Sequence, residues 1–229
     1  MLNMRSADDL TARARIRDAA MLRFGRDGFG VGVRQVAADA GVSPALVLHH
    51  FGSKDGLRAA CDEHAHDALV AAKTDAMAQP ATTVLAQLAA MDRYAPLVAY
   101  LFRVVLDGGP GAARFVDGMV DDTLTYLAEG ERAGVVRPTG DPQGRARYVV
   151  AAQLGLLLVT QLDAAAGRAP SPTAEPAAAL THMARTTAHA SLELYTHGLF
   201  ADSTYLDAWR ATQERPEPPV DPTTHQEQP

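Results

Sequence analysis

Ser43, Ala45, Leu46 and His49 are the residues of this chain best suited by type and spacing to recognition chemistry. They fall on what would be the outer face of a helix about two turns long, a size that fits the major groove of duplex DNA. Their side chains are short or modest, so such a helix could come close to base edges. Other chemistry is poorly supplied. There is no Gly-rich phosphate loop, nucleophile elbow or zinc-protease pattern, and GGPG at 108–111 lacks a flanking strand and a lysine, so catalysis is not expected. His64 and His66 lie among Asp62, Glu63 and Asp67, but residues two apart do not share a helix face, which favours a solvated surface over a metal site. His182 and His189 do share a face and read as helix packing. Cys61 stands alone, without a disulfide or ligand partner, and is expected to be an inert, partly buried thiol in a reducing cytoplasm. No cofactor is expected.

Placing that outer face requires a set of short helices around it. Leu10–Arg26 carries Ile16, Ala19, Ala20 and Phe24 at helical spacing, and Gly28 and Gly30 break it. Val33–Ala40 repeats the pattern with Val33, Val36, Ala37 and Ala40. Gly41 ends that helix, Ser43 can cap the next, and Pro44 suits its first turn. The third helix, Pro44–Phe51, points Val47 inward with Val42. Two short helices joined by a glycine turn cannot bury their apolar faces alone, so the first helix must lie beneath them as a three-helix unit. Ser53 caps a fourth helix from Lys54 to Ala78.

The later chain continues as helices, at Thr82–Asp92, Ala95–Asp107, Ala112–Ala133, Pro142–Ala166 and Pro176–Phe200, with a weaker one at Tyr205–Gln213. GGPG at 108–111, RPTGDP at 137–142 and GRAPSPTAEP at 167–176 are the expected breaks. No stretch shows sustained strand alternation, so the fold class is all-α. The organisation expected is a helix-turn-helix domain over 1–60, a helical effector-binding and dimerisation domain over 61–214, and a disordered Pro-rich tail over 215–229. Tyr148–Leu162 is the most apolar stretch. Gln153 and Gln161 interrupt it and it is shorter than a spanning helix needs, so it reads as a buried helix with no membrane partner.

Net charge is −6, which at first speaks against a nucleic acid. Its distribution does not. Residues 1–60 hold nine Lys/Arg against six Asp/Glu, a balance of +3, which leaves −9 for the rest. A basic end on an acidic body suits a protein that meets phosphate with one end only.

The run FGRDGFGVGVRQVAADAGVSPALVLHHFGSKDGL, with A-x-x-A-G-V-S, H-H-F and S-K-x-x-L at these intervals, resembles the DNA-binding domain of the tetracycline-repressor (TetR) family. The resemblance covers about the first quarter of the chain. It implies that Ser43, Pro44, Ala45 and Leu46 face bases from the front of a recognition helix, and that His49 and His50 lie at its end near phosphates. It implies also that Lys54 binds phosphate with help from a helix N-terminus, and that Arg34 reaches the flanking backbone or a base. Two positions depart from the family: Leu48 stands where an aromatic residue is frequent, and Gly32 where a capping Thr or Ser is common.

The same resemblance implies that the last two long helices pair with their symmetry mates in a homodimer. Ala151, Ala152, Gly155, Ala188 and Ala190 are small enough for close approach. It places a ligand pocket among the middle helices, for which Tyr100, Phe102, Arg103, Phe115, Met119, Tyr126 and Gln153 are the candidates. The expected function is a dimeric regulator that binds a double-stranded operator, a repressor released by a small, largely apolar effector. Two other readings stand beside it: an activator or nucleoid-type protein without a ligand, and a structural helical module.

Overall fold

In the computed structural model, residues 7–78 and 91–213 are described, and all their regular structure is helical. The first four helices are α1 (Ala7–Asp27), α2 (Val33–Asp39), α3 (Pro44–Phe51) and α4 (Lys54–Ala78). A 3₁₀ turn at Met91–Tyr94 leads into α5 (Ala95–Asp107) and α6 (Gly109–Arg132). Then follow α7 (Pro142–Ala165), α8 (Pro176–His197) and α9 (Thr204–Gln213). Thr82–Asp92, expected as a helix, lies outside the described residues except for the 3₁₀ residues Met91 and Asp92. The tail over 215–229 lies outside them too.

The chain divides into two compact units, residues 1–186 and 187–229. In the first, Ile16, Ala20 and Phe24 of α1 bury the face their spacing requires, and Val36, Ala37, Val47 and Phe51 close over them. Leu57, Cys61 and Ala65 of α4 continue the same core, which runs on through Tyr100, Phe115 and Met119 to Val150. The boundary expected at residue 60 therefore falls inside α4, where the packing has no break. The turn between α2 and α3 is made by Gly41 at φ +64. Val42 N–H donates to Ala37 O at 2.9 Å and Gly41 N–H to Ala38 O at 3.2 Å, the paired bonds that close a helix through a left-handed residue.

Two expectations need correction. GGPG at 108–111 is not a break throughout: Gly108, at φ +69, is the break, while Gly109–Gly111 already form the first turn of α6. Proline in a first turn forfeits no helical hydrogen bond, which is why Pro110 opens the helix instead of ending it. Nor is Tyr148–Leu162, within the helix Pro142–Ala165, buried all round. Ala146, Val150, Leu157 and Thr160 are covered, but Tyr148 (62%), Val159 (55%) and Leu162 (60%) stand exposed on another side. By length and composition α7 is also apolar enough to cross a membrane.

In the second unit the last turns of α8 and all of α9 are exposed. Leu199, Phe200, Tyr205, Leu206 and Trp209 are each at least half accessible. The Phe200 and Tyr205 rings lie 4.6 Å apart.

Candidate nucleic-acid interface

Local bonds fix α3 before any long-range contact does. Ser43 is extended at φ −78, ψ 149, and its Oγ accepts from Leu46 N–H at 3.2 Å, with Pro44 beginning the helix. This cap satisfies one backbone donor that a helix start leaves open. Ser53 repeats the device for α4 by accepting from Gly56 N–H at 3.0 Å. At α2 the cap is half made: Gly32 N–H donates to Gln35 Oε1 at 2.9 Å, but Gly32 has no side chain to return the bond.

Ser43, Pro44, Ala45, Leu48 and His49 stand exposed along the outside of α3, with Arg34 exposed on α2 and Lys54 partly exposed at the start of α4. Leu46 differs from its expectation. It is half-buried and packs against the core, because it sits one position from the fully buried Val47. His50 is half-buried, edge-on to both His49 and Phe51, with ring centroids 5.5 and 6.1 Å away. The sequence reading missed Leu48, 46% exposed, and Arg13, whose guanidinium lies 5.1 Å from the centre of the Phe51 ring. Arg13 is three residues before Ile16, and only that helical register, read with Phe51 as a neighbour, could have shown it.

A partly solvated ion pair bridges α1 and α2. Arg23 donates to both Asp39 oxygens, at 2.6 and 2.5 Å, and to Asp27 at 2.9 Å. These bonds hold the Arg23 pKa above its ordinary range, Asp39 first and Asp27 second. Bonds from Arg26 and then Arg23 hold the Asp27 carboxyl down at about 2, and Arg23 likewise lowers Asp39. Cys61 is fully buried, more deeply than its sequence position suggested. Burial chiefly, then the neighbouring Asp62, pushes its thiol up to about 12, so it carries no thiolate at neutral pH.

The pocket candidates separate into two places. Tyr126 is buried on α6 and hydrogen-bonds with Gln153 on α7, and Phe115 and Met119 lie on the same buried stripe of α6. Phe102 is buried on α5. Tyr100 and Arg103 are turned elsewhere. The Tyr100 hydroxyl donates to Asp62 Oδ1 at 2.6 Å and its ring meets Phe29 edge-on at 5.7 Å. Arg103 donates to the Arg26 and Gly25 carbonyls at the end of α1. Their α1 and α4 partners lie 38 to 78 residues away in sequence, so helical spacing could not reveal them. His66 pairs through Nδ1 with Asp122 Oδ2 at 2.6 Å, and its ring lies 4.4 Å from Phe115.

A capped two-turn helix exposing small side chains, carried on a buried three-helix unit and flanked by cations, defines a helix-turn-helix DNA-binding protein. Comparison with known proteins agrees. Residues 16–61 match the family model of bacterial regulatory proteins of the tetR family, and residues 92–201 match that of the tetracyclin repressor-like C-terminal domain. The HTH-type transcriptional regulatory protein RaaS of Mycobacterium tuberculosis (strain ATCC 25618 / H37Rv) is 46% identical over 216 residues, covering 93% of this chain and 98% of that protein. The chain belongs to the TetR family of transcriptional regulators.

Solved structures share the fold at lower identity. A tetR-family transcriptional regulator from Streptomyces coelicolor superposes with a TM-score of 0.52 at 20% identity, covering 90% of this chain and 99% of its own. A structure concerned with control of antibiotic production by bacterial hormones gives 0.54 at 22%, covering 82% and 97%.

Proposed function

We propose that this chain is a dimeric, sequence-specific repressor, acting in the cytoplasm, that a small, largely apolar effector releases from its operator. The observation that carries the reading is the front of α3: Ser43, Pro44, Ala45, Leu48 and His49 exposed, with Arg34 and Lys54 to either side. Ser43, Pro44 and Ala45 would meet base edges, with Leu46 at the rim, and Leu48 offers an apolar contact to a thymine methyl. Arg34, His49, His50 and Lys54 would hold phosphates, Lys54 with the N-terminal dipole of α4 behind it, and Arg13 adds charge beside them.

One short helix reads too few base pairs for useful specificity, so a second copy is needed. The exposed stripe of α7, from Tyr148 past Gly155 to Val159 and Leu162, supports a homodimer face, because an uncovered apolar patch of this kind marks an interface. The first turns of α8 offer an open groove of about 680 Å³ lined by Ala177, Ala178, Thr181, His182, Arg185 and Thr186, which suits close helix approach. For the effector, Phe102, Phe115 and Met119 supply apolar walls, while Tyr126 and Gln153 supply polar anchors. Release then follows from population shift: an effector that binds better to the form with mis-spaced recognition helices withdraws the protein from DNA.

Selection from a random DNA pool, followed by footprinting, tests the reading. The expected product is an inverted repeat with half-sites about one helical turn apart. Equal affinity for random DNA at ~0.2 M salt would overturn it in favour of non-specific packaging.

A further inference from the structure

We infer that Arg103 is a positioning residue for DNA binding: it clamps α5 to the open end of α1 and so fixes the angle at which the body holds the recognition helix. This rests on the dimeric DNA-binding reading above and adds to it the part that sets half-site spacing.

A helix leaves its last carbonyls without partners inside the helix. At the end of α1, Gly28 N–H returns to Phe24 O at 2.8 Å. The next two carbonyls, of Gly25 and Arg26, receive Arg103 instead, through Nε at 3.4 Å and Nη2 at 3.0 Å. A guanidinium suits the place, since its forked donors span two carbonyls and its charge opposes the negative end of the helix dipole. The helices can approach this closely because Gly25 has no side chain. A Cβ there would lie 3.0 Å from Tyr100 N and 3.1 Å from Ala99 Cβ.

Arg103 is not alone at the joint, but its role there is distinct. Tyr100 reaches Asp62 on α4, and Arg58 of α4 lies 3.6 Å over the Phe29 ring and bridges to Asp107 at 3.2 Å. Those contacts seat α4 and the loop after α1. Arg103 joins α5 to the backbone of α1, the helix on which α2 and α3 are packed. Side-chain replacement in α1 leaves such a backbone contact in place, whereas loss of Arg103 removes it. Without it, α1 is held to α5 by apolar contact, which is non-directional and tolerates rocking.

The test uses the full-length protein and the operator selected above, with variants of that operator carrying one base pair added or removed at the centre. For wild type, the altered spacing should weaken binding by about tenfold or more, the scale of a serious mismatch. Arg103→Ala should bind the parent operator somewhat less tightly and lose most of that discrimination. Arg103→Lys, which can reach one carbonyl, should recover part of it. Gly25→Ala, which forces α5 off α1, should shift the preferred spacing. A merely structural Arg103 predicts otherwise: affinity falls by one factor on every spacing, in step with a lower melting temperature. That result, or an Arg103→Ala spacing ratio equal to wild type, overturns the inference and leaves the DNA-binding reading intact. A wild-type chain that selects no paired half-sites overturns both.

Discussion

Apolar residues are used in opposite ways by the recognition unit and by the C-terminal helices. In α1–α3, Ile16, Val36 and Val47 have no solvent exposure, and among the described residues Leu22 and Leu48 are the large apolar side chains left outside. In α7 and α8, Tyr148, Leu162, Leu192 and Tyr195 are exposed by more than half. Burial of a side chain such as Val or Leu stabilises by about 1.5–3 kcal/mol, so the first region is a finished fold and the second has left that stabilisation unused. A unit that has finished folding can offer a polar face to DNA. One that has not is where the proposed dimer contact would form.

The largest effect expected is from Val47→Asp, which puts an unpaired charge into the finished region. It should destabilise the protein by more than about 3 kcal/mol in urea unfolding and abolish operator binding. A near-neutral result would mean the three-helix core is not closed. Next is Leu162→Glu on α7. Because Leu162 is exposed in a single copy, the variant should keep its helical circular dichroism yet weaken the dimer by about a hundredfold in sedimentation equilibrium. Unfolding instead of dissociation would show that the α7 face belongs to the monomer core. Lys54→Ala should lower operator affinity by about fivefold, uniformly across sequences, and reduce the salt slope by about one. Unequal loss among sequences would move Lys54 from phosphate to base contact.

The smallest effect is electrostatic and confined to acid. Asp27 and Asp39 have carboxyl pKa values below their ordinary range, so they favour the folded state once ionised. That contribution is complete above about pH 4, the ordinary aspartate value, and for Asp27 is lost as pH falls through about 2. Arg23→Gln should flatten the acid limb of a stability–pH curve by removing the same small contribution from neutral stability, small because the pairs are partly solvated.

Much of the recognition unit was legible in the sequence because its signals are local. The ends of α3 and α4 follow from Ser43, Pro44 and Ser53, and Gly41 marks the turn. What could not be read depends on which helix faces which. Nothing within Tyr148–Leu162 distinguishes an apolar side covered by its own chain from one left open. Tyr100 and Arg103 look like pocket residues until α1 and α4 are in place beside them. Leu46 shows the opposite case: its spacing suits the outer face, yet it lies half-buried against the core beside Val47.

Cys61 carries a last consequence. Its thiol is sealed, lies 3.8 Å from the Arg17 carbonyl oxygen of α1, and stays protonated far above neutral pH. A thiol reagent can reach it only when α4 parts from α1, so the rate of labelling serves as an internal clock for the opening of that seam. The protein thus contains its own reporter of how often the DNA-reading end comes loose, with no dye or tag to be engineered in.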